Sequence, residues 1–154
     1  MNIGFLILHY KTIDETLGCV QSILNLDSKY QKKIYIVDNF SNDESSKRLK
    51  NIENNNIKVI YSDENLGFSK GNNLGFSYIK KHDTIKYLIV CNNDIIFKQK
   101  DFLYCIDEIF KKEHFDILGP DIFAFKKNLH QSPIRTTLPK ISSVEKEILE
   151  LTTR

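Results

Sequence analysis

Short apolar runs alternate with amphipathic segments along this chain of 154 residues. The run at residues 3–8 is continuous, which is typical of a strand that is buried on both faces of a sheet. Further runs of strand length lie at residues 34–37, 57–61 and 87–91. Strands that alternate with helices predict an α/β fold, in which a doubly wound, mostly parallel sheet carries helices on both faces.

The segments between these runs place apolar residues at three- and four-residue steps, which is the spacing of one helix face. Helices are predicted at residues 12–26, 41–52, 68–81 and 101–112. The apolar face of the first helix comprises Leu17, Val20 and Leu24. The apolar face of the last of these comprises Phe102, Ile106, Ile109 and Phe110.

Two of the predicted helices begin at a capping box, in which Thr or Ser and a following Glu satisfy free backbone amides. Thr12 with Glu15 would start the first helix, and Ser41 with Glu44 the second. A cap of this kind stabilises a helix by about 1 kcal/mol. We therefore expect the side chains of Thr12 and Ser41 to accept hydrogen bonds from amides of their own helices.

The alternation of strands and helices weakens after residue 118. Gly119-Pro120 predicts a turn, and residues 122–125 a further strand. The main domain is accordingly expected at residues 1–125.

The remaining segment, residues 126–154, is expected to end in a helix that starts at Ser142 or Ser143. The apolar stripe of that helix comprises Ile141, Val144, Ile148 and Leu151. Little sequence remains to cover this stripe, so a C-terminally truncated fold is expected.

Composition and charge narrow the class of protein. Lysine and arginine total 22 and aspartate and glutamate 20, so the net charge of +2 gives no drive toward nucleic acid. Cys19, Cys91 and Cys105 are far apart and mostly in apolar segments, which favours reduced thiols in the cytoplasm over disulfides or a zinc site. No segment approaches the ~20 apolar residues of a membrane span.

A glycine-punctuated segment precedes the third predicted helix and enters it. Gly67, Gly71 and Gly75 are spaced by four, unlike the glycines of dinucleotide-binding and P-loop motifs. In a structural interpretation, Gly71 and Gly75 let the helix approach the sheet closely. In a functional interpretation, Lys70 and the amides of the helix start bind a diphosphate. Both interpretations remain open at this stage.

Polar and acidic residues follow the apolar runs. Ligands of open α/β sheets bind beyond the carboxyl ends of the strands, where Asn92-Asn93-Asp94 and Asp38 are expected. Asp94 would join substrate phosphates in holding Mg²⁺ or Mn²⁺, and Asp38 would accept a hydrogen bond from a base. Asn and Asp are also common turn residues, so structural roles remain an alternative. For His9 and Tyr10, packing or turn roles are the commoner case.

Four of these segments, in this order, resemble the family 2 glycosyltransferases, and most closely their rhamnosyltransferase-like branch. The segments are residues 7–10, 36–43, 65–75 and 91–94, and the resemblance extends over residues 3–139. It implies a GT-A fold, a nucleotide-diphosphate-sugar donor and inverting transfer of the sugar to an acceptor hydroxyl.

The resemblance also implies roles for individual residues. The implied donor-binding residues are His9, Tyr10, Asp38, Asn39, Gly67, Lys70, Gly71, Asn92 and Asn93. Asp94 would be the ligand of a Mg²⁺ or Mn²⁺ ion that arrives with the donor. Asn92 stands where the family usually has the first acid of Asp-x-Asp, which is a departure from the family motif.

A second departure concerns the acceptor half, since members of the family continue well past this length to supply a carboxylate general base. Residues 126–154 would form only part of that half. No carboxylate matches the base among Asp121, Glu145, Glu147 and Glu150. The catalytic residue is therefore unassigned. Because loss of the base would slow transfer by ~10²- to 10⁴-fold, the chain is expected to depend on a further part of the protein that supplies this carboxylate.

The leading hypothesis is therefore the donor-binding part of a glycosyltransferase for polysaccharide or cell-surface glycan synthesis. Its acceptor would be a glycan or a lipid-linked molecule, in the cytoplasm or at the inner face of the membrane. The alternative is a non-catalytic remnant or partner subunit that forms an oligomer through the terminal helix. A nucleotidyltransferase is disfavoured, because Tyr10-Lys11-Thr12 replaces its glycine- and basic-rich loop.

Overall fold

The computed structural model describes residues 2–26 and 30–131 of the chain. The chain forms two compact units, which divide between Lys112 and Glu113. The functional division at residues 1–125 and 126–154 stays a prediction. The predicted helix with the stripe from Ile141 to Leu151 lies outside the described residues.

Strands and helices alternate from the amino terminus. They are β1 (Asn2–His9), α1 (Ile13–Leu24), β2 (Gln31–Asp38), α2 (Glu44–Asn51), β3 (Ile57–Tyr61), α3 (Gly67–His82), β4 (Tyr87–Asn92) and α4 (Phe102–Glu113). The four strands form one parallel sheet in the order β3-β2-β1-β4. The predicted α/β fold with a parallel sheet is confirmed.

The register of the sheet brings the carboxyl ends of the strands together. His9 pairs with Asp38, Asp38 pairs with Tyr61, and Leu8 pairs with Asn92. We call this line of strand ends, His9, Asp38, Tyr61 and Asn92, the carboxyl edge.

The two faces of the sheet have separate cores, because successive side chains of a strand point to opposite faces. On one face, α3 contributes Ile79 to a buried cluster with Leu6, Tyr35, Val37 and Ile60. On the other face, Phe5 packs edge to face on Phe97, with ring centroids 5.5 Å apart.

Two glycines set the distance between α3 and the sheet. A Cβ atom on Gly71 would lie 2.6 Å from Leu8 Cδ1, and one on Gly75 would lie 2.4 Å from Leu6 Cδ1. Both distances are too short for a real side-chain contact, so only glycine permits this approach without movement. The structural interpretation of Gly71 and Gly75 is confirmed.

The packed face of α1 differs from the prediction. Leu24 is 43% exposed, and the buried residues of α1 are Thr16, Cys19, Val20, Ser22 and Ile23. The polar and thiol groups buried here bond to the end of β4 and to the loop that follows it. On α4, similarly, Ile109 is 40% exposed, whereas Leu103, Ile106 and Asp107 are buried.

Both predicted capping boxes are wrong. Thr12 precedes α1 but makes no side-chain cap hydrogen bond. The cap of α2 is Asp43, whose Oδ1 accepts a hydrogen bond from Ser45 N at 2.8 Å. Ser41 lies earlier, and its hydroxyl oxygen accepts instead from the Lys11 backbone amide at 2.9 Å.

The described part of the second unit contains a small antiparallel pair of strands, β5 (Phe123–Ala124) and β6 (Leu129–His130). A 3₁₀ turn at Phe125–Lys127 joins them, so the predicted strand at residues 122–125 is shorter than expected. Asn128 completes the turn in the left-handed region, with φ of 49°.

Two sequence expectations about the chain's class are addressed by the structure. Cys19, Cys91 and Cys105 are all free thiols. None of the helices in the described ranges combines the length and the apolar character that crossing a membrane requires.

Candidate functional site

The loops beyond the carboxyl edge contain unusual backbone. Lys11, Phe40 and Asn42 have φ of 63°, 64° and 48°, in the left-handed region that side chains rarely favour. Such conformations persist only where surrounding bonds hold them, and they concentrate at functional sites. The loops after β1 and β2 therefore mark this edge as the candidate site.

Asp38 ends β2 and is buried, with 2% of its surface exposed. Its Oδ1 accepts a hydrogen bond from Ser41 N at 3.0 Å, and its Oδ2 accepts one from Ser46 Oγ at 2.5 Å. Both oxygens thus hold the turn that leads into α2. The structural role is visible directly, and contact with a base stays a prediction.

Asn39 is also buried and joins two loops of the edge. Its Nδ2 donates to Asn65 Oδ1 at 3.0 Å, and its Oδ1 accepts from Leu66 N at 2.9 Å. Asn65 Oδ1 accepts a further bond from Gly67 N at 2.9 Å. The predicted donor-binding residue Asn39 therefore shapes the start of α3.

The start of α3 is open to an anion. Leu66 gives no side-chain cap, and the first turn holds no acidic residue. Gly67 has φ of 69°, and Lys70 is exposed in the same turn. The positive end of a helix and a lysine beside it both favour negative charge, although the Leu66 and Gly67 amides here already donate to Asn39 and Asn65. Gly71, in contrast, lies beneath this opening against Leu8.

A buried acceptor lies next to Gly71. Asn72 is 6% exposed, and its Nδ2 donates to Phe68 O at 2.9 Å. Among the buried side-chain nitrogen and oxygen atoms of the described ranges, its Oδ1 is the one without a hydrogen-bond partner. Buried polar atoms are rarely left without a partner, so this oxygen is an exception in the packing of α3 on the sheet.

His9 lies below the edge rather than in an open pocket, because none of its surface is exposed. Its Nδ1 is 2.7 Å from Thr16 Oγ1, and its Nε2 is 3.0 Å from Ser45 Oγ. Burial lowers the pKa of the His9 imidazole, against the opposing effect of two nearby carboxylates, Asp38 and Asp43.

The β4–α4 loop rests on the polar face of α1. Asn93 Nδ2 donates to Thr12 Oγ1 at 2.7 Å and to Thr16 Oγ1 at 3.0 Å. The neighbouring Asn92 and Asp94 are exposed. Asn93 therefore anchors the loop, and its neighbours face solvent. Sequence reasoning missed Thr12 and Thr16 in this role, although their four-residue spacing puts both on one helix face.

The carboxyl edge offers few side chains that could hold a metal ion. Among residues 2–26 and 30–131, no group of three or more His, Cys, Asp or Glu side chains is arranged to hold a metal ion. Asp94 supplies one exposed carboxylate. Mg²⁺ is often bound through one or two carboxylates together with substrate phosphates. One carboxylate, that of Asp94, therefore suffices for a metal ion whose other ligands are phosphate oxygens of a bound substrate.

Exposed aromatic side chains surround the carboxyl edge. Tyr10, Phe40 and Tyr61 follow or end β1, β2 and β3, and are 42%, 43% and 46% exposed. Phe68, in the first turn of α3, is 63% exposed. Aromatic faces of this kind stack on planar bases. Of these, only Tyr10 was among the predicted donor-binding residues.

The fold is similar to that of TarS from S. aureus. Residues 1–349 of TarS match with a TM-score of 0.61 and 18% identity, over 82% of this chain and 40% of that chain. The same part of TarS in complex with UDP-GlcNAc matches with a TM-score of 0.62 and 18% identity, over 82% of this chain and 38% of that one. Its complex with UDP gives a TM-score of 0.62 and the same identity, with coverage of 82% and 40%.

These matches confirm the predicted GT-A fold. This chain spans about two fifths of the length of the TarS chains. The comparison with curated protein sequences gives no match. A sequence model described as "Glycosyl transferase family 2" matches residues 5–151, which is nearly the whole chain. This chain belongs to glycosyl transferase family 2.

Proposed function

We propose that this chain binds the diphosphate and base of a nucleotide-sugar donor at the carboxyl edge, for transfer of the sugar to an acceptor hydroxyl. The observation that carries the proposal is the start of α3. Its N-cap residue Leu66 gives no side-chain hydrogen bond, and its first turn has no acidic residue and exposes Lys70.

The roles proposed for the edge residues follow from their exposure. Gly67 and Lys70 would contact the diphosphate, and Tyr10 would offer an aromatic face to the base. Asp38 and Asn39 would shape the pocket through their loop contacts, with direct contact to the base as a further role. Asn92 would contact the donor from the end of β4. Asn93 and His9 would support the site from beneath the carboxyl edge, through their hydrogen bonds to Thr16.

Asp94 is the residue that would hold a Mg²⁺ or Mn²⁺ ion bound with the donor. Such an ion supplies Lewis-acid neutralisation of the charge on the leaving diphosphate. Lys70 and the α3 amides would stabilise the same charge from the protein side, because preorganised positive groups act most strongly where charge develops.

Inverting transfer also requires a carboxylate general base, and we assign none. Asp121, in the described part of the second unit, lies 2.6 Å from the Nδ1 of His130. Asp121 is thus paired with a neighbouring side chain, and the acceptor-binding residues are left unassigned with the base. The acceptor is proposed to be a glycan or lipid-linked molecule, used in polysaccharide synthesis at the cytoplasmic side of a membrane.

The family also suggests which donors to test first. TarS is described in complex with UDP-GlcNAc and with UDP, which makes UDP-sugars the first choice. The resemblance to the rhamnosyltransferase-like branch adds dTDP- and GDP-sugars. The rival remnant hypothesis depends on a stripe outside the described residues, and no described contact favours it.

The test is a thermal-unfolding panel with UDP, GDP and dTDP, each with Mn²⁺, with Mg²⁺ and with a chelator. At 100 times its Kd a ligand adds ~2.7 kcal/mol, which raises the Tm of a domain of this size by roughly 5 to 11 °C. We expect one nucleotide to raise the Tm more than the others do. If no nucleotide shifts the Tm of folded protein, the proposed function is wrong.

A further inference from the structure

A chain of side-chain hydrogen bonds runs through the interior beneath the carboxyl edge. It starts at Asn93 in the β4–α4 loop, passes through Thr16 and His9, and reaches Ser45 and Asp43 at the start of α2. The heavy-atom distances along it are 3.0, 2.7, 3.0 and 2.5 Å. The three middle residues, Thr16, His9 and Ser45, are buried.

The proton positions along this chain follow from its two ends. Asp43 accepts from the Ser45 hydroxyl, so the single proton of that hydroxyl is used. Ser45 Oγ must then accept from His9 Nε2–H. A neutral imidazole has only one N–H, so Nδ1 of His9 is an acceptor.

Thr16 completes the same direction of donation. Its hydroxyl is 2.7 Å from His9 Nδ1 and 3.2 Å from Thr12 O, and the acceptor imidazole nitrogen takes the nearer bond. Thr16 Oγ1 in turn accepts from the amide of Asn93. Every donor therefore points from the β4–α4 loop toward Asp43.

We propose that His9 is a positioning residue: through the Thr16 hydroxyl, its neutral imidazole fixes the Asn93 amide and so the backbone that carries Asp94. This inference rests on the proposed function, because it concerns the loop that would hold the metal. His9 does not contact the donor. It couples the β4–α4 loop to the start of α2, two segments that are far apart in sequence.

The loop has further attachments to α1, which define a matched control. Cys19 Sγ donates to Asn92 O at 3.8 Å, and Ser22 Oγ accepts from Phe97 N at 3.1 Å. Ser22 is buried like Thr16 and bonds to the same loop, but outside the chain that includes His9. Loss of its hydroxyl likewise removes a part-buried hydrogen bond between α1 and this loop.

The experiment compares Thr16→Val, Thr16→Ser and Ser22→Ala with the wild-type chain. The Kd of Mn²⁺ is measured by calorimetry in the presence of UDP, and the Tm without ligand reports the structural effect of each change. Groups that orient a metal ligand from behind typically contribute about 10- to 100-fold to metal affinity. We expect a loss in that range for Thr16→Val, affinity close to wild type for Thr16→Ser, and unchanged affinity for Ser22→Ala.

The outcomes separate this inference from the proposed function. If wild-type protein binds neither UDP nor Mn²⁺, the proposed function fails, and this inference fails with it. If wild-type protein binds both and Thr16→Val binds Mn²⁺ as well as wild type, only the inference is overturned. Equal losses for Thr16→Val and Ser22→Ala would also overturn it, because they would show general destabilisation.

A second measurement needs no variant. Nitrogen-15 NMR of the imidazole distinguishes the two neutral tautomers. We expect the proton of His9 on Nε2 at neutral pH. A proton on Nδ1 would overturn the inferred direction of donation even if Thr16→Val failed to fold.

Discussion

Asn39 Oδ1 accepts a hydrogen bond from the Leu66 backbone amide at 2.9 Å, and this bond ties the end of β2 to the start of α3. The same side chain donates to Asn65 at 3.0 Å. A short polar residue after a strand thus defines where the open helix start lies. The geometry of the proposed donor site depends on this hydrogen bond even if Asn39 never contacts the donor.

Replacing Asn39 tests whether its hydrogen bonds hold the start of α3 in place. We expect Asn39→Ala to lower the free energy of unfolding by about 1–3 kcal/mol, since it leaves the Leu66 amide without its partner and removes one of the two hydrogen bonds to Asn65 Oδ1. UDP affinity should fall as well. Urea unfolding and calorimetry measure the two effects. Asn55→Ala, at an exposed turn, is the control and should change stability by no more than about 0.5 kcal/mol.

The close approach of α3 gives a second prediction. A Cβ on Gly75 would lie 2.4 Å from Leu6 Cδ1 and 3.0 Å from Val37 Cγ2, so Gly75→Ala overpacks the core. Overpacking of this kind costs about 1–3 kcal/mol. Gly18→Ala is the matched helical control, because its Cβ would meet only Ile96 at 3.6 Å. Thermal unfolding should show a lower Tm for Gly75→Ala and an equal or higher Tm for Gly18→Ala. The opposite order would contradict close packing of α3 on the sheet.

A third prediction concerns acid stability. Asp107 Oδ1 accepts hydrogen bonds from Lys86 Nζ at 2.8 Å and from Tyr87 OH at 2.9 Å, and its other oxygen accepts one from Tyr30. These bonds, that from Lys86 foremost, hold the pKa of Asp107 below its ordinary value of 3.8. The unfolded chain therefore takes up this proton at higher pH than the folded protein does. The stabilisation is present above the unfolded pKa and is lost as pH falls toward the folded pKa.

Asp107→Asn should therefore reduce stability near neutral pH and reduce the further loss of stability below about pH 4. Urea unfolding from about pH 7 to about pH 3 measures this dependence. Asp116→Asn, at an exposed carboxylate, should keep the wild-type dependence. If Asp107→Asn and wild type lose stability in parallel over this range, the hydrogen bonds to Asp107 do not depress its pKa.

The sequence was sufficient for the order of the elements because the apolar runs are separated by clear helical spacing. The strand predicted at residues 57–61 has the same bounds as β3 in the structure. The glycine spacing left two interpretations, and only the positions of Leu6 and Leu8 show that close packing is one of the roles. The glycine spacing in the sequence indicated which positions of the helix need glycine, but it did not indicate which side chains of the sheet lie against them.

Side-chain partners across the chain could not be predicted. The apolar face predicted for the first helix did not include Thr16, yet Thr16 is buried, with His9 at the end of β1 and Asn93 in the β4–α4 loop bonded to it. The family resemblance implied that His9 lines the nucleotide pocket. The direction of its side chain is set instead by Thr16 and Ser45, which no local pattern indicates. Metal dependence and donor contacts stay predictions.

The measurement that tests the central claim most directly is calorimetric titration of the chain with UDP, with Mn²⁺ and with a chelator. Asp94→Asn is compared with Asp101→Asn, which makes the same change of charge in the same loop. We predict that UDP binds more tightly with Mn²⁺, that Asp94→Asn removes this difference, and that Asp101→Asn keeps it. Folded wild-type protein that binds no UDP under either condition would contradict the proposed donor site, and UDP binding that ignores both Mn²⁺ and Asp94→Asn would contradict the role of Asp94.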